Sequence, residues 1–142
     1  MSDKLNLELV RKFLASQNLG VLATVTSNGL PESSVIGFAE NDDFEILFGT
    51  FDHSRKAHNL KTNPRVALSV GWDRGITVQY EGEAQELTAN DIEDCKRTIL
   101  TKIPTAAKFV SAPQEKFYKI VPKWIRYSDW SHDPVEKFEI KF

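Results

Sequence analysis

Thr50, Ser54, Arg55 and Lys56 bring two hydroxyls and two full positive charges into one short stretch of the chain. Residue types of this kind hold an oxyanion, and a phosphate above all. The run Phe44 to Phe48 alternates in period two and reads as a strand, and Gly49-Thr50 ends it. Asp52, His53 and Ser54 offer side chains that can cap a helix, and Ser54 to Asn63 has helical character until Pro64 stops it. Free N–H groups at the start of that helix, with its dipole, would add to the pull on an anion. The same residues also suit a solvated helix start, and the motif alone does not choose between the two. His53, His58 and His132 are scattered and point to no metal. Cys95 reads as a small buried hydrophobe, and Glu81, Glu83 and Glu86 as a solvated strand face.

Composition removes several classes of function. The 142 residues suit one domain, taken here as 1–142, and the 41% hydrophobic content suffices for a packed core. Lys plus Arg total 18 against 20 Asp plus Glu, a net charge of -2, so nothing points to nucleic acid. One cysteine forms no internal disulfide and no multi-cysteine metal site. Met1 to Leu5 lacks the apolar core of a signal peptide, and no apolar run reaches membrane-spanning length. The expectation is a cytoplasmic protein that meets no membrane.

The elements around the motif follow from periodicity. Leu5, Leu9 and Phe13 make Leu5 to Gln17 an amphipathic helix, with Asn18 and Gly20 as stops. Val21 to Thr26 and Glu32 to Ala39 are strands about an Asn28-Gly29 hairpin, and Phe44 to Gly49 is a third. Arg65 to Val70 and Ile76 to Leu87 follow, with Gly82 marking a bend or bulge. Asn90 can cap a helix over Asp91 to Lys102, and a short helical piece is expected over Thr105 to Val110. Lys116 to Asp129 reads as one strand or two joined at Pro122, and Phe138, Ile140 and Phe142 suggest an edge strand. Short antiparallel strands with a few helices make a mainly β protein, a small barrel decorated by helices.

Ser54 to Leu60 and Asn63-Pro64-Arg65-Val66-Ala67-Leu68, with Thr50 ahead of them, resemble the central motif of the pyridoxamine 5′-phosphate oxidase-related, FMN-binding split-barrel family. Asn28-Gly29, Pro31 to Val35, Val78 to Ala84 and Phe117 to Tyr127 match its flanks. The resemblance implies a six-stranded antiparallel split barrel that forms a homodimer with FMN at the interface. It implies that Arg55, Lys56 and Ser54 bind the flavin phosphate. It places Ser34, Val35, Ile36 and Gly37 along the flavin, Gly49 and Thr50 beneath it, and Thr77 where the oxidases use a glutamine, for which Gln79, two residues on and on the same face, could substitute. Trp124 and Trp130 fall where the family approaches the partner's cofactor, with dimer packing the other role open to them.

Departures from the pattern bear on activity. Ser34 and Ala39 stand where the true oxidases have an arginine and a lysine, and no Arg-x-His motif follows Tyr127. Each lost charge-assisted hydrogen bond is worth about 1.5–3 kcal/mol, so oxidation of pyridoxamine phosphate is not expected. The reading is an FMN-dependent oxidoreductase-like protein acting on a small-molecule redox substrate that the sequence does not identify. The alternatives are a deazaflavin-dependent reductase, or a non-enzymatic flavin- or haem-binding stress protein with His53 or His58 as axial ligand.

Overall fold

The computed structural model describes residues 3–142. Met1 and Ser2, part of the stretch read for a signal peptide, lie outside the described residues. Helix α1 (Asp3–Ala15) buries Val10 and Leu14 on one stripe. Strands β1 (Leu19–Val25) and β2 (Pro31–Gly37) pair about a turn in which Gly29 has φ 86°. The two-residue β3 (Ala39–Glu40) leads to β4 (Ile46–Phe51), then α2 (Arg55–Leu60), β5 (Arg65–Val70) and β6 (Ile76–Glu86). Helix α3 (Asn90–Lys102), a 3-10 turn (Pro104–Ala106) and α4 (Ala107–Val110) precede β7 (Glu115–Asp129) and β8 (Glu136–Lys141).

Every strand pair is antiparallel, and the sheet runs β2-β1-β5-β6-β7-β4-β3, with β8 added to β7. The two ends of this path, β2 and β3, are separated in the chain by Phe38 alone. The sheet must therefore curl into a half-barrel. This corrects the expected count of six: the described residues form eight strands, because Phe38 divides one expected strand between two pairing partners and β8 adds to β7 off the main path. Phe38 is fully buried, and its N–H donates to Asn18 O (3.1 Å) instead of to the ladder.

Inside the curl, Leu22, Leu68, Tyr80, Ile120 and Phe48 share one core with Val10 and Leu14 of α1. A second, smaller core lies on the outer side of β4 and β7, where Leu47 and Phe117 meet Cys95 and Ile99 of α3 and Val110 of α4. Burial in that core pushes the Cys95 thiol up to about 12. The bulge expected at Gly82 is present, as a register shift between Glu81 and Gly82 that leaves Lys123 unpaired and seats Pro122 opposite Gly82. Pro122 therefore does not divide β7.

Three local expectations differ. Phe44 does not open the third strand: it sits at φ 61° in the preceding turn, where the Tyr80 hydroxyl lies 2.7 Å from its carbonyl. Asn90 begins α3 itself, and the capping position falls to Ala89, which makes no side-chain bond. Gly20 does not stop α1 but lies within β1, where an added Cβ would fall 2.9 Å from Leu68 Cδ1.

Candidate functional site

Ser54 caps α2 as its position in the sequence suggests. Its backbone is extended (φ -71°, ψ 157°), and its Oγ accepts from Ala57 N at 3.1 Å. Thr50 Oγ1 donates to the same oxygen at 2.9 Å, tying the end of β4 to the start of α2. The next two residues part company. Arg55 projects to the surface and is ion-paired with Glu32 of β2. Asn59 holds the other oxygen of that carboxylate at 2.8 Å and also donates to Thr24 Oγ1 at 2.9 Å. These donors lower the Glu32 pKa, Arg55 first, and the carboxylate in turn raises that of Arg55. Lys56 turns inward, and its Nζ donates to Ser34 Oγ at 3.1 Å. Burial lowers its pKa, partly opposed by the charge of Glu115.

Lys56 opens into a cleft of about 430 Å³. One wall is the strand pair expected to carry the flavin: Val35, Ile36 and Gly37 of β2, with Gly49 and Thr50 of β4. The other wall comes from the helical segment: Ile99, Ile103, Phe109 and Val110. Phe117 and Glu115 of β7 complete it. The lining is apolar except for Lys56, Glu115 and a few hydroxyl and amide groups, the composition of a small-molecule site.

The structure thus gathers Val35, Ile36, Gly37, Gly49, Thr50 and Lys56 around one cavity, with Ser34 and Ser54 directly behind Lys56 and Thr50. Arg55 lines a different cavity, with Glu32, His53 and His58. Thr77, Gln79, Trp124 and Trp130 line neither cavity. Thr77 Oγ1 donates to Gly71 O at 3.0 Å, and Gln79 is exposed. The Arg126 guanidinium lies 5.3 Å from the Trp124 ring, and Lys137 sits over Trp130 at 4.9 Å.

Sequence reasoning missed Glu115 and the α3–α4 wall. Glu115 escaped because the strand was expected to start one residue later. Its alternation with Phe117, on the same face of β7, was the available signal. His132 Nε2 stands 3.3 Å from Asp129 Oδ2 and 3.9 Å from Glu136 Oε2 on the β7–β8 connection, one histidine beside two carboxylates.

A curled antiparallel sheet with a lysine-ended apolar cleft beside its split edge defines a split-barrel protein. The family model for pyridoxamine 5′-phosphate oxidase matches residues 7–129, and the chain belongs to that family. Among curated relatives, the pyridoxine/pyridoxamine 5′-phosphate oxidase of Citrobacter koseri is 34% identical over 82 residues, 56% of this chain and 37% of that protein. That of Alcanivorax borkumensis is 27% identical over 112 residues, 77% of this chain and 54% of that protein. The chain thus spans about half the length of these relatives or less. The same fold occurs in the general stress protein 26 of Bacillus anthracis (TM-score 0.74, 20% identity, 96% of this chain and 98% of that one). It occurs also in a haem-binding protein of Mycobacterium smegmatis (TM-score 0.79, 18% identity, 93% of this chain and 57% of that one).

Proposed function

We propose that the chain binds FMN in the β2–β4 cleft and serves as a flavin-dependent oxidoreductase-like protein on a small redox substrate. The observation that carries this is the Lys56–Ser34 pair at the polar end of an otherwise apolar cleft of flavin-compatible size. Lys56 and the hydroxyls of Ser34 and Thr50 suit a phosphate, and the exposed backbone along Val35 to Gly37 suits the polar edge of a ring. Bound flavin would supply the electron-transfer chemistry; the protein supplies position and charge. Arg55 joins the site only if it leaves Glu32.

A homodimer accounts for the residues that the cleft does not use. On the outer face of the sheet, register sets Val35, Val21, Ser69, Gln79 and Arg126 in one row, and Ser33, Ala23, Ala67, Glu81 and Trp124 in the next. The small side chains at 23, 33, 67 and 69 give this face low relief, which suits a second copy lying against it. In that arrangement Thr77, Gln79 and Trp124, with Trp130 beyond the end of β7, would reach the partner's cofactor.

The same geometry argues against the alternatives. Lys56 is the one cation among the described residues lining the cleft, so the longer phosphodiester tail of a deazaflavin finds no second one among them. His53 and His58 line the other cavity, so haem would have to bind apart from the cleft. Oxidation of pyridoxamine phosphate stays disfavoured, because Ser34 and Ala39 carry no charge of their own, and Ala39 packs into the second core. The test is the visible spectrum of the purified protein, followed by titration of the apo form with FMN, riboflavin, a deazaflavin and haem. Saturable, stoichiometric FMN binding that exceeds riboflavin binding supports the proposal. Indifference to FMN beside saturable haem binding contradicts it, whereas formation of pyridoxal phosphate would contradict only the exclusion of pyridoxamine phosphate as the substrate.

A further inference from the structure

Glu115 is a carboxylate where a phosphate site would not call for one. It opens β7 opposite Phe51 in the ladder with β4. Its side chain reaches back across Gly49: a Cβ placed on Gly49 would fall 2.8 Å from Glu115 Oε2 and 3.0 Å from Phe117 Cε1. The missing side chain at 49 is therefore what lets the carboxylate lie across the floor of the cleft. Glu115 and Lys56 are the two charged side chains among the residues described as lining it. Each lies in the other's field without direct ion-pair contact, in apolar surroundings that strengthen that field.

We propose that Glu115 is a built-in counter-anion for Lys56, and that it sets the preference of the cleft between phosphorylated and unphosphorylated ligands by having to take up a proton when a phosphate arrives. The inference rests on the FMN reading above. A phosphate placed at Lys56 takes over the field that favours the ionised carboxylate and adds negative charge nearby. Both effects favour protonated Glu115, so binding of the phosphate draws one proton from solvent. A neutral ligand in the same cleft causes no such uptake.

The groups facing Glu115 are few. From α2 there is Lys56, from β4 there are Gly49 and Phe51, and the other described residues lining the cleft carry no charge. Asp52 lies just beyond β4, but its Oδ1 is turned to His53 Nδ1 at 3.3 Å. Lys116 is engaged by Glu86 at 3.5 Å. Burial already raises the Glu115 pKa, with Lys56 opposing, so the carboxyl starts displaced toward the protonated form.

The experiment measures FMN and riboflavin dissociation constants by flavin fluorescence across pH for the wild type, E115Q and K56A, with thermal melts to verify folding. Gln mimics the neutral carboxyl. E115Q should therefore bind FMN about tenfold more tightly than wild type near pH 8, and the two should converge as the pH falls toward about 5. The second ionisation of the phosphate is common to both proteins and cancels in the ratio. Riboflavin affinity should be the same in both. If E115Q does not fold, E115A should show the same sign. Equal FMN affinity of E115Q and wild type at every pH, with K56A still weakened, overturns the inference and leaves the FMN reading standing. Weaker FMN binding by E115Q overturns it too. Absence of FMN binding in every variant overturns both.

Discussion

Arg55 and Lys56 are neighbours in the chain, yet Arg55 is committed to Glu32 while Lys56 is committed to Ser34, two residues further along the same face of β2. One turn of helix thus delivers its two cations to different cavities, and only the lysine reaches the cleft.

The Arg55–Glu32–Asn59 cluster makes stability depend on acid. The Glu32 pKa is lowered in the folded protein, by Arg55 and then by Asn59. A carboxylate with a depressed folded pKa stabilises above its unfolded value, about 4.3, and that contribution is lost as pH falls through the folded value. E32Q should therefore show a shallower loss of melting temperature than wild type between about pH 5 and pH 3. Parallel thermal melts of the two proteins across that range give the comparison. Identical acid profiles would mean the cluster is not formed in solution.

Lys102 ties the end of α3 to the main core. Its Nζ meets Glu40 Oε2 at 2.5 Å and Leu14 O at 3.0 Å, and sits 4.0 Å from the Phe38 ring. Both charged side chains are mostly buried, at 13% and 16% exposed. Removing one partner strands the other, so K102M should destabilise by about 2–4 kcal/mol, while K102M with E40M should recover much of the loss. Urea unfolding of the single and double variants measures both.

Gly82 has no room for a side chain. A Cβ there would fall 2.3 Å from the Val121 carbonyl oxygen, which is backbone and cannot turn away. G82A should cost about 2 kcal/mol or more by forcing the β6–β7 bulge apart. Chemical denaturation checks this; a neutral result would show that the bulge has another geometry in solution.

Much of the fold was legible because periodicity and punctuation agreed. Arg65–Val70 was read at its observed ends, and the bulge at Gly82 was visible as a glycine inside a long alternating strand. What could not be read was pairing. Nothing local to Phe38 shows that the strand changes partners there, because that follows from closing the curl. Phe44 misled because its alternation with Ile46 and Phe48 continues into a turn held by the Tyr80 hydroxyl from across the barrel. The cleft was half legible for the same reason. Its β2–β4 wall follows from the family resemblance, whereas Glu115 and Phe109 reach it through the path of α3 and α4, which no spacing encodes.

The most direct measurement compares FMN and riboflavin affinities in wild type and K56A. The charge-assisted bond from Lys56 to the phosphate should be worth about 1.5–3 kcal/mol, so K56A should lose about tenfold to a hundredfold in FMN affinity and almost nothing in riboflavin affinity. Equal losses for both ligands, or none for FMN, would show that Lys56 does not hold the phosphate of a flavin.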